Sequence, residues 1–283
     1  MTIPEYISAA LALTGVLLFI LRCAMGFGRR AAGRGAGLYC CECGASGTIG
    51  TREVQEDAYG IRESEEGIMA VMADGMGKHF GGKIASRAAV ETFQEIFEEP
   101  GAFYNPQYYF RKAFGGANRE ILKLLPEGQG RASVACVLIQ NGRLYHASAG
   151  NVKIAVYRNG ELVPVNSGHT IDALARQRYA EGKLGREEAA ALLENHRLYN
   201  YVGQDGFHDI EFFDVPVALR NGDQVVLMTD GMYEKVTWKK LEECLGQNGT
   251  CQEKAYALVE MVNQSVEEEK DNASVVVLRV KGR

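Results

Sequence analysis

The sequence predicts an α+β fold: a four-layer αββα sandwich of two antiparallel sheets flanked by helices, preceded by one transmembrane helix. Three observations predict it. Apolar strands that need cover on both faces occur at 67–77 ("GIMAVMADGMG"), 223–234 ("DQVVLMTDGMYE") and 272–280 ("NASVVVLRV"). Asn-Gly pairs at 141–142 and 159–160 separate strand-like runs and mark two hairpins. Helical stripes of apolar residues between these strands have one face to bury, and a sheet is what they cover.

The elements follow in order. From Tyr6 to Leu21 the chain carries no charge, and Arg22, Arg29, Arg30 and Arg34 come after it. About 20 residues at 1.5 Å each cross a hydrocarbon core, so 3–22 is read as a membrane span with Arg22 snorkelling to the interface. The basic C-terminal flank places the rest in the cytoplasm, and the missing basic n-region argues against a cleaved signal peptide. Residues 1–37 are thus an anchor and a basic tether, and 38–283 a single domain on a single-pass chain at the cell membrane.

Within the domain, Ala85, Ala89, Phe93 and Ile96 share a helix face. Phe110, Phe114, Ala117, Ile121 and Leu124 form a second stripe. "SVACVLIQ", "RLYHASAG", "VKIAVYR" and "ELVPV" then read as an antiparallel meander. Residues 171–195 read as a polar, Ala-rich helix that leaves the sheet edge. A third Asn-Gly, at 221–222, is expected to join "DIEFFDV" in a hairpin to the strand that carries Asp230. A last helix with Ala255, Leu258, Val259, Val262 and Val266 precedes a strand ending at Lys281.

Composition narrows the function. With 46% apolar residues and a net charge of −5, the chain can bury one large core but lacks the basic surface of a nucleic-acid binder. Cys40-x-x-Cys43 has no second cysteine pair to complete a zinc site, so buried thiols on a first strand are the simpler reading. Asp74, Asp230 and Asp271 each stand beside a buried strand and are placed to converge. Three carboxylates in a low-dielectric setting repel one another unless cations neutralise them, and hard oxygen donors suit Mg²⁺ or Mn²⁺. Gly75, lacking a Cβ, lets its carbonyl approach such a cation. Upstream, Arg52 precedes Glu56 and Asp57, a spacing that alone is ordinary surface pattern. Beside rim carboxylates it fits phosphate binding by Arg and water binding by the acids. A competing motif, "GKHFGGK", satisfies G-x-x-x-x-G-K, but Ile84 stands where a hydroxyl is required, and a hairpin-rich chain disagrees with the parallel sheet of P-loop nucleotide hydrolases.

Taken in order, "REVQEDA", "ADGMGKHFGGKIAS", "TDGM" and "KDNAS", with weaker matches at "GRASVACVLI", "NSGHT" and "HRLYNYVG", make the chain from about 38 to 283 resemble the metal-dependent PP2C-type (PPM) Ser/Thr protein phosphatases, especially compact bacterial members. The resemblance implies hydrolysis of phosphoserine and phosphothreonine on cytoplasmic proteins by a hydroxide that two Mn²⁺ or Mg²⁺ ions activate, opposing a Ser/Thr protein kinase. Asp74 is then the bridging ligand, the Gly75 carbonyl lies on one ion, and Asp230 and Asp271 lie on the other. Glu56 and Asp57 hold waters, and Arg52 holds phosphoryl oxygens. His79, where the bacterial signature often has His, is a candidate proton donor; Met76 stands where some eukaryotic relatives have a histidine for the leaving group, so metal-bound water is the other candidate there. Asn151 stands where the family usually has an aspartate that helps hold a third metal, and Gly168 where many relatives have another, so the third site is weakened. A catalytically silent phosphoprotein-binding module is the alternative of a different class.

Overall fold

The computed structural model describes residues 40–126 and 128–282. The expected span at 3–22 and the tether at 29–37 lie outside them, and among the described residues no helix is long and apolar enough to cross a membrane.

Strand alternation builds the layers. In β1 (Cys40–Thr48), β2 (Asp57–Glu63) and β3 (Ile68–Gly77), and later in β11 (Ala273–Lys281), successive side chains point to opposite faces. Met69, Val71 and Ala73 of β3 therefore meet helices, while Ile68, Ala70 and Met72 meet the other sheet. Val275 and Val277 of β11 likewise pack under helices, with Val276, Leu278 and Val280 between the sheets. One sheet holds β2, β3, β4 (Gly130–Gln140), β5 (Arg143–Ala149) and β8 (Glu211–Phe212) in that order, with β9 (Val217–Ala218) also pairing β5. The other runs β1, β11, β10 (Gln224–Met228), β6 (Lys153–Arg158), β7 (Glu161–Pro164). The pairings are antiparallel, which excludes the parallel βαβ sheet of a P-loop hydrolase.

Helices α1 (Gly81–Glu98) and α2 (Pro106–Leu124) cover the first sheet. Phe93 and Phe114 meet edge to face there, with ring centroids 4.9 Å apart, a geometry worth about 1 kcal/mol beyond the area buried. Asn105 caps α2 by accepting from the Tyr108 amide at 3.1 Å, ahead of Pro106 at the first turn. The short α5 (Asp230–Tyr233), α6 (Trp238–Gly246) and α7 (Cys251–Asn263) cover the second sheet. The four-layer sandwich is as expected from sequence.

Several local expectations are corrected. The two Asn-Gly hairpins form, but they belong to different sheets: the chain leaves β5, crosses at Gly150–Val152 and enters β6. Asn221-Gly222 joins no hairpin, since β8 and β9 pair with β5 while β10 lies in the other sheet between β11 and β6. Leu124 is 51% exposed and Leu125 is buried in its place, because the extended backbone at Leu125 ends α2 and turns that side chain inward. Val266 lies past the end of α7 and is fully exposed. Residues 171–195 are two helices, α3 (Ile171–Ala180) and α4 (Arg186–Leu192), separated where Gly182 takes φ 70°. Helix α6 was not anticipated. Cys41 and Cys43 lie half-buried on β1, less buried than expected, and burial raises the Cys43 thiol to about 12.

Candidate metal and phosphate site

Parity and register bring the acids together. Asp74 continues the Ile68, Ala70, Met72 series and so points into the gap between the sheets, and its direct cross-strand partner is Asp57. Asp74-Gly75 is therefore not a turn; both residues lie inside β3. Asp230 comes from the opposite sheet, as the first residue of α5 directly after β10. Thr229, just before it, donates its hydroxyl to Asp57 Oδ2 at 3.0 Å and so links the two sheets across the site. Asp271 precedes β11 at the mouth, where Arg52 Nη2 donates to its Oδ2 at 2.8 Å. Both members of that pair are open, 61% and 48% exposed, so the pair itself adds little stability.

Burial, then mutual repulsion from Asp230 and Asp57, holds the Asp74 carboxyl well above the ordinary carboxylate range. Asp57 is pushed up to about 7, mainly by burial and further by Asp230 and Asp271, with Ser274 and Thr229 opposing. Asp230 is raised by burial and by Asp271, against the hydrogen bond from Asn151. Glu56 is raised by burial despite the Lys83 and Gly82 backbone amides at the start of α1, and its buried Oε1 has no hydrogen-bond partner. Two carboxylates about 4 Å apart repel by about 4 kcal/mol at an effective dielectric near 20. A hydrogen bond to a charged group returns only about 1.5–3 kcal/mol, so the polar neighbours do not balance the group.

Among the described residues, no three His, Cys, Asp or Glu side chains already surround a point as a closed set of ligands. Asp271 turns to Arg52, and Asp230 takes a bond from Asn151. The donors nevertheless fit a hard divalent cation: all are oxygen, three are half-buried and mutually repelling, and one oxygen of the neighbouring Glu56 is unpartnered.

The glycines of "GKHFGGK" serve packing: a Cβ on Gly77 or Gly81 would stand 2.5 or 2.0 Å from the Gln129 carbonyl oxygen. A Cβ on Gly75 would stand 2.1 Å from the Gly82 carbonyl oxygen and 2.6 Å from that of Glu56, so α1 and the Glu56 loop press directly on the strand. His79 takes φ 56° on the exposed turn before α1 and lines neither cleft that reaches Asp230. It is not brought to the site. Asn151 is: it is buried, and its Nδ2 donates to Asp230 Oδ2 at 2.8 Å. Tyr233 donates its hydroxyl to the Asn151 carbonyl at 2.9 Å, and the buried Asn151 Oδ1 has no partner.

Sequence reasoning missed the residues that hold this frame. Asn272 Oδ1 accepts the Glu56 amide at 2.7 Å, while its Nδ2 donates to the Ile49 carbonyl. His169 Nδ1 accepts the Gly150 amide at 3.0 Å, which fixes the crossing before Asn151, and burial lowers the pKa of this ring. The only signals for them were "KDNAS" and "NSGHT" as short patterns.

Comparisons agree with this fold. The "Protein phosphatase 2C" family profile matches residues 46–268. The serine/threonine phosphatase stp of Listeria monocytogenes is 26% identical over 236 residues, covering 80% of this chain and 90% of the relative. The serine/threonine phosphatase structure from S. agalactiae superposes with TM-score 0.74 at 23% identity, covering 86% of this chain and all (100%) of that one. The catalytic domain of PstP, solved in complex with two manganese ions, superposes with TM-score 0.67 at 23% identity, with 86% and 100% of the two chains covered. With a matched profile across most of its length and this fold around the acids, the chain belongs to the protein phosphatase 2C family.

Proposed function

We propose that the chain hydrolyses phosphoserine and phosphothreonine on proteins with two divalent cations, Mn²⁺ or Mg²⁺, and does so from a membrane tether on the cytoplasmic side, opposing a Ser/Thr protein kinase. The observation that carries the reading is the set of half-buried, mutually repelling acids in the gap between the sheets, with Arg52 at its mouth. Asp57, Asp74, the Gly75 carbonyl, Asp230 and Asp271 would hold the cations. When bound, divalent cations stabilise negative charge on phosphoryl oxygens and lower the pKa of water. The other tasks fall to the chain. Arg52 presents a guanidinium that a phosphoryl dianion can take from Asp271 in a bidentate grip. Glu56 offers a free oxygen to orient water, and Thr229 and Asn272 keep Asp57 and the Glu56 backbone in place. The uncharged run 6–21 and the arginines after it support the tether.

The test is hydrolysis of a phosphothreonine peptide by the full chain in detergent, with Mn²⁺ and then with chelator. Turnover should require the metal. Tight peptide binding without turnover in Mn²⁺ would instead favour the silent binding module. In cells the full chain should stay with membranes through alkaline carbonate extraction, and recovery in the soluble fraction would rule the tether out.

Asn151 gives a sharper expectation. Its amide supplies Asp230 with a neutral donor where a carboxylate would add charge for a further cation. Asn151→Asp should therefore lower the Mn²⁺ concentration for half-maximal rate and strengthen Mn²⁺-dependent thermal protection. Superimposable titrations of the two proteins would leave Asn151 a purely structural hydrogen-bonding residue.

A further inference from the structure

The mouth of the site divides into two lobes that share Asp230 and Glu234. One contains Arg52 and Asp271. The other, bounded by α3 and the segment after α4, contains Lys153, Asp172, Arg176 and His196. His196 is 63% exposed, and its Nδ1 stands 3.4 Å from Asp172 Oδ1. Asp172 is buried; its Oδ2 takes the Arg176 guanidinium at 2.9 Å, whereas Oδ1 makes no hydrogen bond. A buried, unpartnered carboxylate oxygen aimed at an imidazole nitrogen orients the ring: with Nδ1–H turned to Asp172, Nε2 is the nitrogen left to exchange a proton in the cleft.

Resting on the phosphatase reading, we propose that His196 is the general acid that protonates the seryl or threonyl oxygen as it leaves, and that Asp172 is its positioning residue. An aliphatic alkoxide is a poor leaving group and needs that proton. The acids already described are placed to hold cations and water, Arg52 does not give up its proton, and His79 lies outside both lobes. As water oxygen bonds to phosphorus, the P–O bond to the side-chain oxygen breaks and its electron pair leaves with that oxygen. The imidazolium Nε2 proton goes to it and releases the alcohol. The proton lost by the attacking water restores the imidazolium, so phosphomonoester and water become alcohol and phosphate with no net change in the protein. The charged groups around His196 are Asp172 and Arg176 of α3, Lys153 of β6, Asp230 at the start of α5 and Glu234 after it, and Glu194 and Arg197 on its own segment.

The experiment compares the full chain with His196→Gln in Mn²⁺ on two substrates: a phosphothreonine peptide, and p-nitrophenyl phosphate, whose phenolate leaves without a proton. The peptide kcat should fall about a hundredfold, and the p-nitrophenyl phosphate kcat at least tenfold less than that. Asp172→Asn should lower peptide kcat in the same selective way. Equal losses on both substrates, or no loss on either, would overturn the assignment of His196. If the parent chain hydrolyses neither substrate, the phosphatase reading fails first and takes this inference with it.

Discussion

Asp74→Asn should lower Mn²⁺-dependent turnover by roughly a thousandfold or more, since it removes a charge from the centre of the cation site, and yet leave a domain that melts higher in chelator. The second half distinguishes a site residue from a fold residue. Asp74, Asp57 and Asp230 are all raised above their unfolded values by burial and by one another. A carboxyl raised in this way favours the folded state fully below its unfolded pKa near 4, and that contribution is lost as pH rises through the folded value, about 7 for Asp57. Without divalent cations the parent should therefore lose stability across pH 4–7 through these groups. Asn at 74 removes the most deeply raised charge and relieves Asp57 and Asp230, so the gain over the parent should grow with pH to on the order of 1 kcal/mol or more by pH 7.5. Added Mn²⁺ should reverse the order, because it stabilises the parent by binding only the folded state. Matched melting series from pH 5 to 8, with chelator and with Mn²⁺, check both signs. A variant that keeps its turnover, or one that melts lower in chelator at every pH, would defeat the assignment.

Gly75→Ala is expected to damage both stability and rate, because this glycine packs at the site itself. Its Cβ would stand 2.1 Å from the Gly82 carbonyl oxygen and 2.6 Å from that of Glu56. Both are backbone atoms, and no side-chain rotation relieves them; α1 and the Glu56 loop must move off β3 together. Overpacking of this kind costs about 1–3 kcal/mol and at times more. A shift of about 1 Å in a reacting group can cost a hundredfold in rate. A lower urea midpoint together with a drop in kcat of about that size is expected. Gly115→Ala is the contrast: in α2 its Cβ would meet only the flexible end of Arg119, at 3.5 Å. That change should stabilise by about 0.5–1 kcal/mol through helix propensity. If Gly75→Ala behaves like Gly115→Ala, the direct packing of α1 on the strand is wrong.

What the sequence determined by itself was the material of the fold and the identity of the acids. Near-continuous apolar runs at 68–73 and 273–280 specify strands with two buried faces, and these call for two sheets back to back with helices outside. Asp74, Asp230 and Asp271 were legible because a carboxylate beside such a strand has few structural reasons to be there. Turn chemistry also worked locally: Asn141 and Asn159 take the positive φ that their hairpins demand.

Only the tertiary structure decided which sheet each strand joins, because pairing across the crossing at Gly150–Val152 is a long-range choice that hairpin signals do not encode. That crossing, fixed by His169, puts Asn151 against Asp230 instead of on a hairpin tip. Residues 171–195 carried weak periodicity and "HRLYNYVG" behind them only a weak family pattern, so nothing in the chain's order joined Asp172 to His196. Their meeting depends on α3 and the segment after α4 folding back on one another, where Ile171 and Asp172 donate their amides to the carbonyls of Arg197 and Asn195. Periodicity reports which face of an element is buried; contacts between distant segments depend on how those faces are stacked, and only the packed molecule holds that information.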